Sequence, residues 1–367
     1  MARIRDLWKN KDGSRSTRDG IGKRWCVVWT DPAGDEKNES FAKKPDAERF
    51  KTQIEHDLMV GDYIDPDRGK TALSTYVAEK WWPAQVHLAD GTRETYDRHL
   101  RNRILPALGA RSLNSIRKAD VKEFVGRITG TVSARTVQTT WATLSTVLSS
   151  AVDDELIRRN PCAGVKLPKI PERDVIIFPA ADVLRVAETI SPRYRLAVLL
   201  AAGAGLRQGE ALGLAGRRVD VEGSRLLLRE QMQGGKLAPL KTKGSRRTVP
   251  VDSGLLAEIT AHMDAYPPGA DGVLITNTKG AAMIRGRFVE AWAKGVERAG
   301  LPKGTRFHDL RHFYASALIA AQVNAKVLQR RMGHASITET FDTYGHLFPD
   351  HEDIGRGVLD QALNLAA

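Results

Sequence analysis

The residues that could do chemistry gather near the C-terminus, in FHDLRHFYASALIAAQVNAKVLQRRMGHASITETFDTYGH. His308 and Arg311 stand three apart, Gly333-His334 follows, and Tyr344 comes ten residues after His334. Upstream lies an isolated Arg207 in GAGLRQGEALGL. A guanidinium fork matches the non-bridging oxygens of a phosphate. An imidazole can donate to the same group or handle a proton. A phenol is a nucleophile able to form a covalent intermediate. The combination suits a tyrosine attacking a phosphodiester whose charge is held by fixed cations.

Each element also has a plainer reading. Arg207 alone would be a surface ion pair near a helix end, and Glu210 is placed to orient its guanidinium. The GAG before it is not a dinucleotide fingerprint, because the third glycine falls at Gly209 and no strand precedes it. His308 and His312 at i, i+4 imitate a metalloprotease helix, but Asp309 stands where a glutamate is needed and no third ligand stands out. A loop histidine such as His334 is usually solvated, and a lone tyrosine usually packs. Beside several cations, Tyr344 would instead be expected to favour its phenolate form. Lys241 and Lys243, in the basic turn KTKGSRR, could reach a minor groove or protonate a leaving oxygen.

The elements that must position these residues follow from patterning. Residues 1–24 carry eight Lys/Arg against three Asp. A strand is expected at Arg24–Trp29, a turn at Asp31–Gly34, a second strand around Glu39–Phe41, and a helix capped by Asp46 running to about Met59. Gly61 to Gly69 reads as a linker. Four helices are expected between Leu73 and Leu156. The first ends at Pro83, the second runs from Thr92 to Ile104 and ends at Pro106, and the third covers Ala119–Ile128. The fourth is capped by Ser133 and places Val137, Trp141, Leu144 and Leu148 at core spacing. A charged, Pro-containing linker spans 166–173. Beyond it, Ser191 is expected to cap a helix with Pro192 at its first position. Short strands at Leu226–Leu228 and Arg247–Val251 flank the basic turn. Helices follow to the end, including Val323–Arg331. Leu310, Phe313 and Ala317 are expected to face the core.

Composition narrows the class. At 367 residues, two or three domains are expected. A net charge of +12 favours a polyanionic partner, nucleic acid first. No apolar run is long enough for a membrane span, and the first residues lack a signal peptide's apolar core. Two distant cysteines, Cys26 and Cys162, offer neither a disulfide framework nor a zinc module, which fits a reducing cytoplasm.

Taken together, Arg207, a turn lysine, His308-x-x-Arg311, His334 and Tyr344 resemble the tyrosine recombinase family, specifically phage-type integrases. The resemblance covers about 176–350, and Met332-Gly-His replaces the family's usual Leu-Gly-His. It places the turn lysine at Lys241, with Lys243 the alternative. The implied fold is multidomain, mainly α with small β elements. An N-terminal β-plus-helix arm-binding module spans 1–64, and a helical, SAM-like core-binding domain spans 70–165. An α+β tyrosine-recombinase catalytic domain with a C-terminal tail spans 174–367. The implied activity is site-specific cleavage and rejoining of duplex DNA through a covalent 3′-phosphotyrosine, integrating or excising a phage, prophage or integrative plasmid. The implied site residues are Arg207, Lys241, His308, Arg311, His334 and Tyr344. No cofactor is implied, because the phosphotyrosyl bond conserves the phosphodiester without ATP or metal. The implied partners are double-stranded attachment sites clamped by the two larger domains, a homotetramer on DNA, and an excisionase or host DNA-bending protein. The protein would be cytoplasmic and nucleoid-associated. The apolar stripe Val358–Leu363 would dock on a neighbouring protomer. A regulator that kept the fold, or a type IB topoisomerase relaxing DNA without site choice, are the alternatives.

Overall fold

The protein is described from a computed structural model. It covers residues 2–61, 63, 65, 67–171, 176–240, 243–269 and 271–348. Lys241 and the stripe Val358–Leu363 lie outside the described residues, and residue 243 is described by its backbone alone. The chain forms two compact units, Met1–Glu172 and Arg173–Ala367.

The first unit opens with a three-stranded antiparallel sheet in the order β1-β2-β3. Its strands are Arg3–Asp6 (β1), Trp25–Thr30 (β2) and Glu36–Phe41 (β3). The first lies inside the stretch whose charge pattern hides any strand signal. Helix Lys44–Val60 (α1) packs against the sheet, burying Val27, Trp29, Ala47 and Ile54 together. Its cap is Lys43, three residues before the expected Asp46, so Asp46 sits in the first turn. A second core lies among four helical stretches. Helix α2 comprises Leu73–Tyr76, a π-helical turn Val77–Trp81 and Trp82–Ala84. Helix α3 comprises Asp90–His99, a π-turn Leu100–Ile104 and Leu105–Leu108. Lys118–Ile128 (α4) and Ala134–Asp153 (α5) complete it.

The expectation that Pro106 ends a helix is corrected: helix α3 continues through it to Leu108. Pro83 likewise lies within the last turn of α2. Each proline follows a π-turn by two residues. The wider turn shifts the hydrogen-bond register, so the missing N–H and the ring are accommodated where an uninterrupted α-helix would break. Ser133 does cap α5, its Oγ accepting from the Thr136 N–H at 3.3 Å. Val137, Leu144 and Leu148 are buried there, while Trp141 is only partly so.

The second unit is built around Pro192–Ala204 (α7), buried on almost every side and packed by Ala180–Thr189 (α6). Gly205 ends α7 in the left-handed conformation, at φ +65°. A Cβ there would lie 2.5 Å from the Tyr314 ring, so only glycine fits. The chain then turns into the short helix Gln208–Leu212 (α8). A three-stranded antiparallel sheet follows, made of Val219–Asp220 (β4), Arg225–Leu228 (β5) and Arg247–Pro250 (β8) in the order β4-β5-β8. Between β5 and the basic turn, the structure inserts a hairpin that the sequence reading lacked, Glu230–Gln233 (β6) and Lys236–Pro239 (β7). The basic turn therefore follows β7 instead of joining β5 directly to β8.

Among the described residues, five helices follow: Ser253–Ala265 (α9), Arg285–Arg298 (α10), Asp309–Ala320 (α11), Ala325–Met332 (α12) and Ile337–Tyr344 (α13). Leu310 joins the large core and Phe313 packs partly against it. Ala317 is exposed, contrary to expectation, because the inward face of α11 turns toward α12 and carries Tyr314, Ala315 and Ile319. These three, with Leu328, Met332 and Tyr344, form a small separate core under the last three helices.

Candidate active site

The site is assembled on two chain bends, each closed by a left-handed glycine. The first, at Gly205, delivers Arg207 to the N-terminus of α8. The Arg207 backbone N–H donates to Glu210 Oε2 at 2.9 Å and its Nη1 donates to Glu210 Oε1 at 3.1 Å. The second bend, at Gly333 (φ +65°), ends α12 and exposes the carbonyls of the last turn. Arg207 Nη2 donates to the Gly333 carbonyl at 3.1 Å. Arg311 Nη2 donates to the neighbouring Met332 carbonyl, and its Nη1 to the Gly205 carbonyl. Two guanidinium groups are thus pinned to consecutive carbonyls. Each has five N–H donors and commits two of them to these partners among the described residues. Arg207 keeps 35% of its side chain exposed, so its guanidinium can meet a ligand.

Glu210 makes this crowding of cations tolerable. It also accepts a bidentate pair from Arg247, at 2.9 and 2.8 Å, and both partners are almost fully buried. Burial alone would raise the Glu210 pKa, but the Arg247 hydrogen bonds and the charges of Arg247 and Arg207 outweigh it and hold the carboxyl at about 2. Arg247 Nε donates to the Arg331 carbonyl at 2.7 Å, tying strand β8 to the end of α12. The sequence reading puts Arg247 where the basic turn meets the strand Arg247–Val251 and gives it no part in the site. The signal for its role is the two-residue alternation of β8, which turns Arg247 and Val249 inward and Thr248 out.

Arg311 is 1% exposed. Burial, reinforced by Arg207 and Arg247, lowers its pKa to about 9, which leaves it charged at neutral pH. His334 follows the glycine bend and is 8% exposed. Its Nδ1 lies 2.8 Å from Thr340 Oγ1, which fixes the ring. Burial, and then the nearby arginines, hold its pKa down at about 4, so the imidazole is neutral at pH 7.

Tyr344, at the end of α13, is 1% exposed and its ring lies parallel to that of His334, with centroids 6.3 Å apart. The expectation of a favoured phenolate is corrected. Burial raises the Tyr344 pKa to about 12, and the opposing pull of Arg311 and Arg207 does not overcome it. The Tyr344 hydroxyl is 2.8 Å from His312 Nδ1. His308, which precedes α11, is exposed and meets His312 edge-on, with ring centroids 5.0 Å apart. The structure therefore brings Arg207, Arg311, His334 and Tyr344 around one bend. His308 stands beside His312, and Lys241 is outside the described residues.

A mostly helical chain that gathers two arginines, buried histidines and a tyrosine around one bend has the features of a DNA-joining enzyme, and the family comparisons agree. The model of the phage integrase family matches residues 179–351, and that of the phage integrase central domain matches 75–167. The chain is 28% identical to the integrase of Mycobacterium phage L5 over 315 residues, covering 81% of this chain and 83% of that protein. It is 27% identical over 350 residues to a tyrosine recombinase XerC-like protein of Caldanaerobacter subterraneus, covering 86% and 87%. Its fold matches that of the Tn1549 transposon integrase in complex with a circular intermediate DNA, with a TM-score of 0.65, 21% identity, and coverage of 80% and 99%. It also matches a lambda integrase dimer bound to a core site, with a TM-score of 0.61, 17% identity, and 95% of each chain covered. The chain belongs to the phage integrase family of tyrosine recombinases. Among the described residues, no helix is long and apolar enough to cross a membrane.

Proposed function

We propose that this site-specific recombinase cleaves a DNA strand by attack of Tyr344 Oη on a phosphodiester, and integrates or excises a mobile element by repeating that step on paired sites. The Oη–P bond forms, the P–O5′ bond breaks, and the strand is left as a 3′-phosphotyrosine with a free 5′-hydroxyl. Arg207 and Arg311 hold the non-bridging oxygens, where negative charge grows in the transition state. His334 donates from its remaining ring nitrogen to the same phosphate. The turn lysine, Lys241 with Lys243 as the alternative, protonates the departing 5′ oxygen. His308 assists proton transfer with Tyr344. The observation that carries this reading is the pairing of Arg207 and Arg311 on the consecutive carbonyls of Gly333 and Met332, next to Tyr344.

In the same reading, residues 1–64 bind arm-type DNA, 70–165 bind the core site, and 174–367 cleave it. The +12 charge supports a duplex partner whose binding weakens with salt. The likeness to a lambda integrase tetramer bound to a Holliday junction (TM-score 0.60, 19% identity) supports a tetramer on two sites. An excisionase or a host bending protein would set direction. The test is recombination between two plasmid-borne copies of the DNA flanking the gene, without ATP. Wild type should yield recombinant product and Tyr344→Phe none. Relaxation of any supercoiled plasmid without recombinants would instead favour a topoisomerase.

A further inference from the structure

We infer that His312 is the proton acceptor for Tyr344, an assignment that rests on the nucleophilic role proposed for Tyr344. Among the described residues, His312 is the titratable side chain hydrogen-bonded to the Tyr344 hydroxyl, Nδ1 to Oη at 2.8 Å. Their rings meet edge-on at 65°, with centroids 5.6 Å apart. His312 follows Arg311 directly on α11, so the helix that buries the phosphate-binding guanidinium also carries this imidazole. His312 is 8% exposed and Tyr344 1%, so bulk water is poorly placed to take the phenolic proton.

The protonation states agree with the geometry. Burial lowers the His312 pKa below its ordinary value, with Asp309 opposing and Arg306 and Arg311 adding to the shift. The imidazole is therefore neutral at pH 7. The tyrosine, raised to about 12, keeps its proton. In the resting site, then, the phenol donates and Nδ1 accepts, with the neutral ring's single N–H proton on Nε2. A buried phenol of this pKa needs a base at the moment of attack. As the Oη–P bond forms, the Oη–H proton passes to Nδ1. The P–O5′ bond breaks and the 5′ oxygen takes its proton from the turn lysine. The imidazolium keeps its proton until rejoining, when the 5′-hydroxyl attacks and gives its proton back to the turn lysine, Oη leaves, and Nδ1 returns its proton to Oη. No further reactant is required. His308, in edge contact with the His312 ring, assists the transfer from beside the imidazole and is not itself the acceptor.

The test uses the full-length chain on a nicked duplex made from the DNA flanking its gene, with the rate of covalent adduct and noncovalent binding read separately. Loss of a positioned base should slow adduct formation by about 10²- to 10⁴-fold. His312→Ala should show that loss with binding retained, and free imidazole should restore part of the rate through the vacated space. His312→Asn keeps an acceptor near the Nδ1 position but cannot take a proton, and should stay slow while melting near wild type. A second duplex, with a bridging 5′ sulfur at the scissile position, needs no acid for its leaving group. His312→Ala should remain slow on it. Cleavage by either variant near the wild-type rate would overturn the assignment. So would a loss in His312→Ala that imidazole does not relieve, paired with an active His312→Asn, because that pattern marks a structural role. If wild type forms no Tyr344 adduct at all, the underlying nucleophile assignment fails instead.

Discussion

Replacing Glu210 by glutamine tests how the site tolerates its arginines. The substitution keeps the volume and removes the charge that Arg247 and Arg207 share. Glu210 is held at about 2 against an ordinary 4.5. A shift of that size corresponds to roughly 3 kcal/mol of interaction favouring the ionised form. It agrees with the 3–5 kcal/mol typical of breaking a buried pair from one side. Arg247, 5% exposed, would be left as an uncompensated buried charge. With a urea slope of about 2 kcal/mol/M, the unfolding midpoint of the second unit should fall by about 1.5 M at pH 7. The pH dependence has a definite sign. A carboxyl depressed in the folded state stabilises above its unfolded value, near 4.5, and that stability is lost as pH falls toward 2. The gap between wild type and Glu210→Gln should therefore be full at pH 6 to 7 and shrink below 4.5. Urea titrations at four pH values would measure it. A midpoint shift under about 0.3 M at pH 7 would mean the carboxylate does not hold the arginines together.

Three further outcomes are expected. Gly333→Ala forces a side chain into φ +65° and places its Cβ 3.0 Å from Arg247 Cδ. It should lower stability by about 1–3 kcal/mol, read by thermal melting, and slow cleavage because the carbonyls of the bend hold both arginines. Arg311→Lys cannot reach the Gly205 and Met332 carbonyls together, so adduct formation should fall by about 10²- to 10³-fold with DNA binding weakened much less. Because His334 is lowered to about 4, the native state binds fewer protons than the unfolded chain between about 4 and 6.5. Stability should therefore decline as pH drops through that window, and His334→Gln should flatten the decline in unfolding titrations.

The candidate residues Arg207, Arg311, His334 and Tyr344 stand out in sequence because their types are unusual in combination, and the fold brings them around one bend although Arg207 and Tyr344 are far apart in the chain. Helix starts were readable where a cap or a first-position proline acts locally, as at Ser133 and Pro192. Other features depend on contacts that no local pattern announces. Strand β1 is held by pairing with Trp25–Val28 across a gap of charged residues. The two prolines inside helices are tolerated only because π-turns precede them. The buried Glu210–Arg247 pair joins residues 37 apart, and the His312–Tyr344 hydrogen bond joins residues 32 apart. The tyrosine's protonation was misjudged for the same reason. Nearby cations can be counted in a sequence, whereas the depth of burial that outweighs them cannot.

The central claim is that Tyr344 becomes joined to DNA, and the direct measurement is the identity of that bond. A nicked duplex from the DNA flanking the gene would be incubated with wild-type protein in chelator. The adduct would be digested with protease and nuclease, and the modified peptide sequenced by mass spectrometry. A nucleotide attached through its 3′ phosphate to the peptide containing Tyr344 is the predicted result. An adduct on another residue, attachment through a 5′ phosphate, or tight site-specific binding with no adduct would contradict the account.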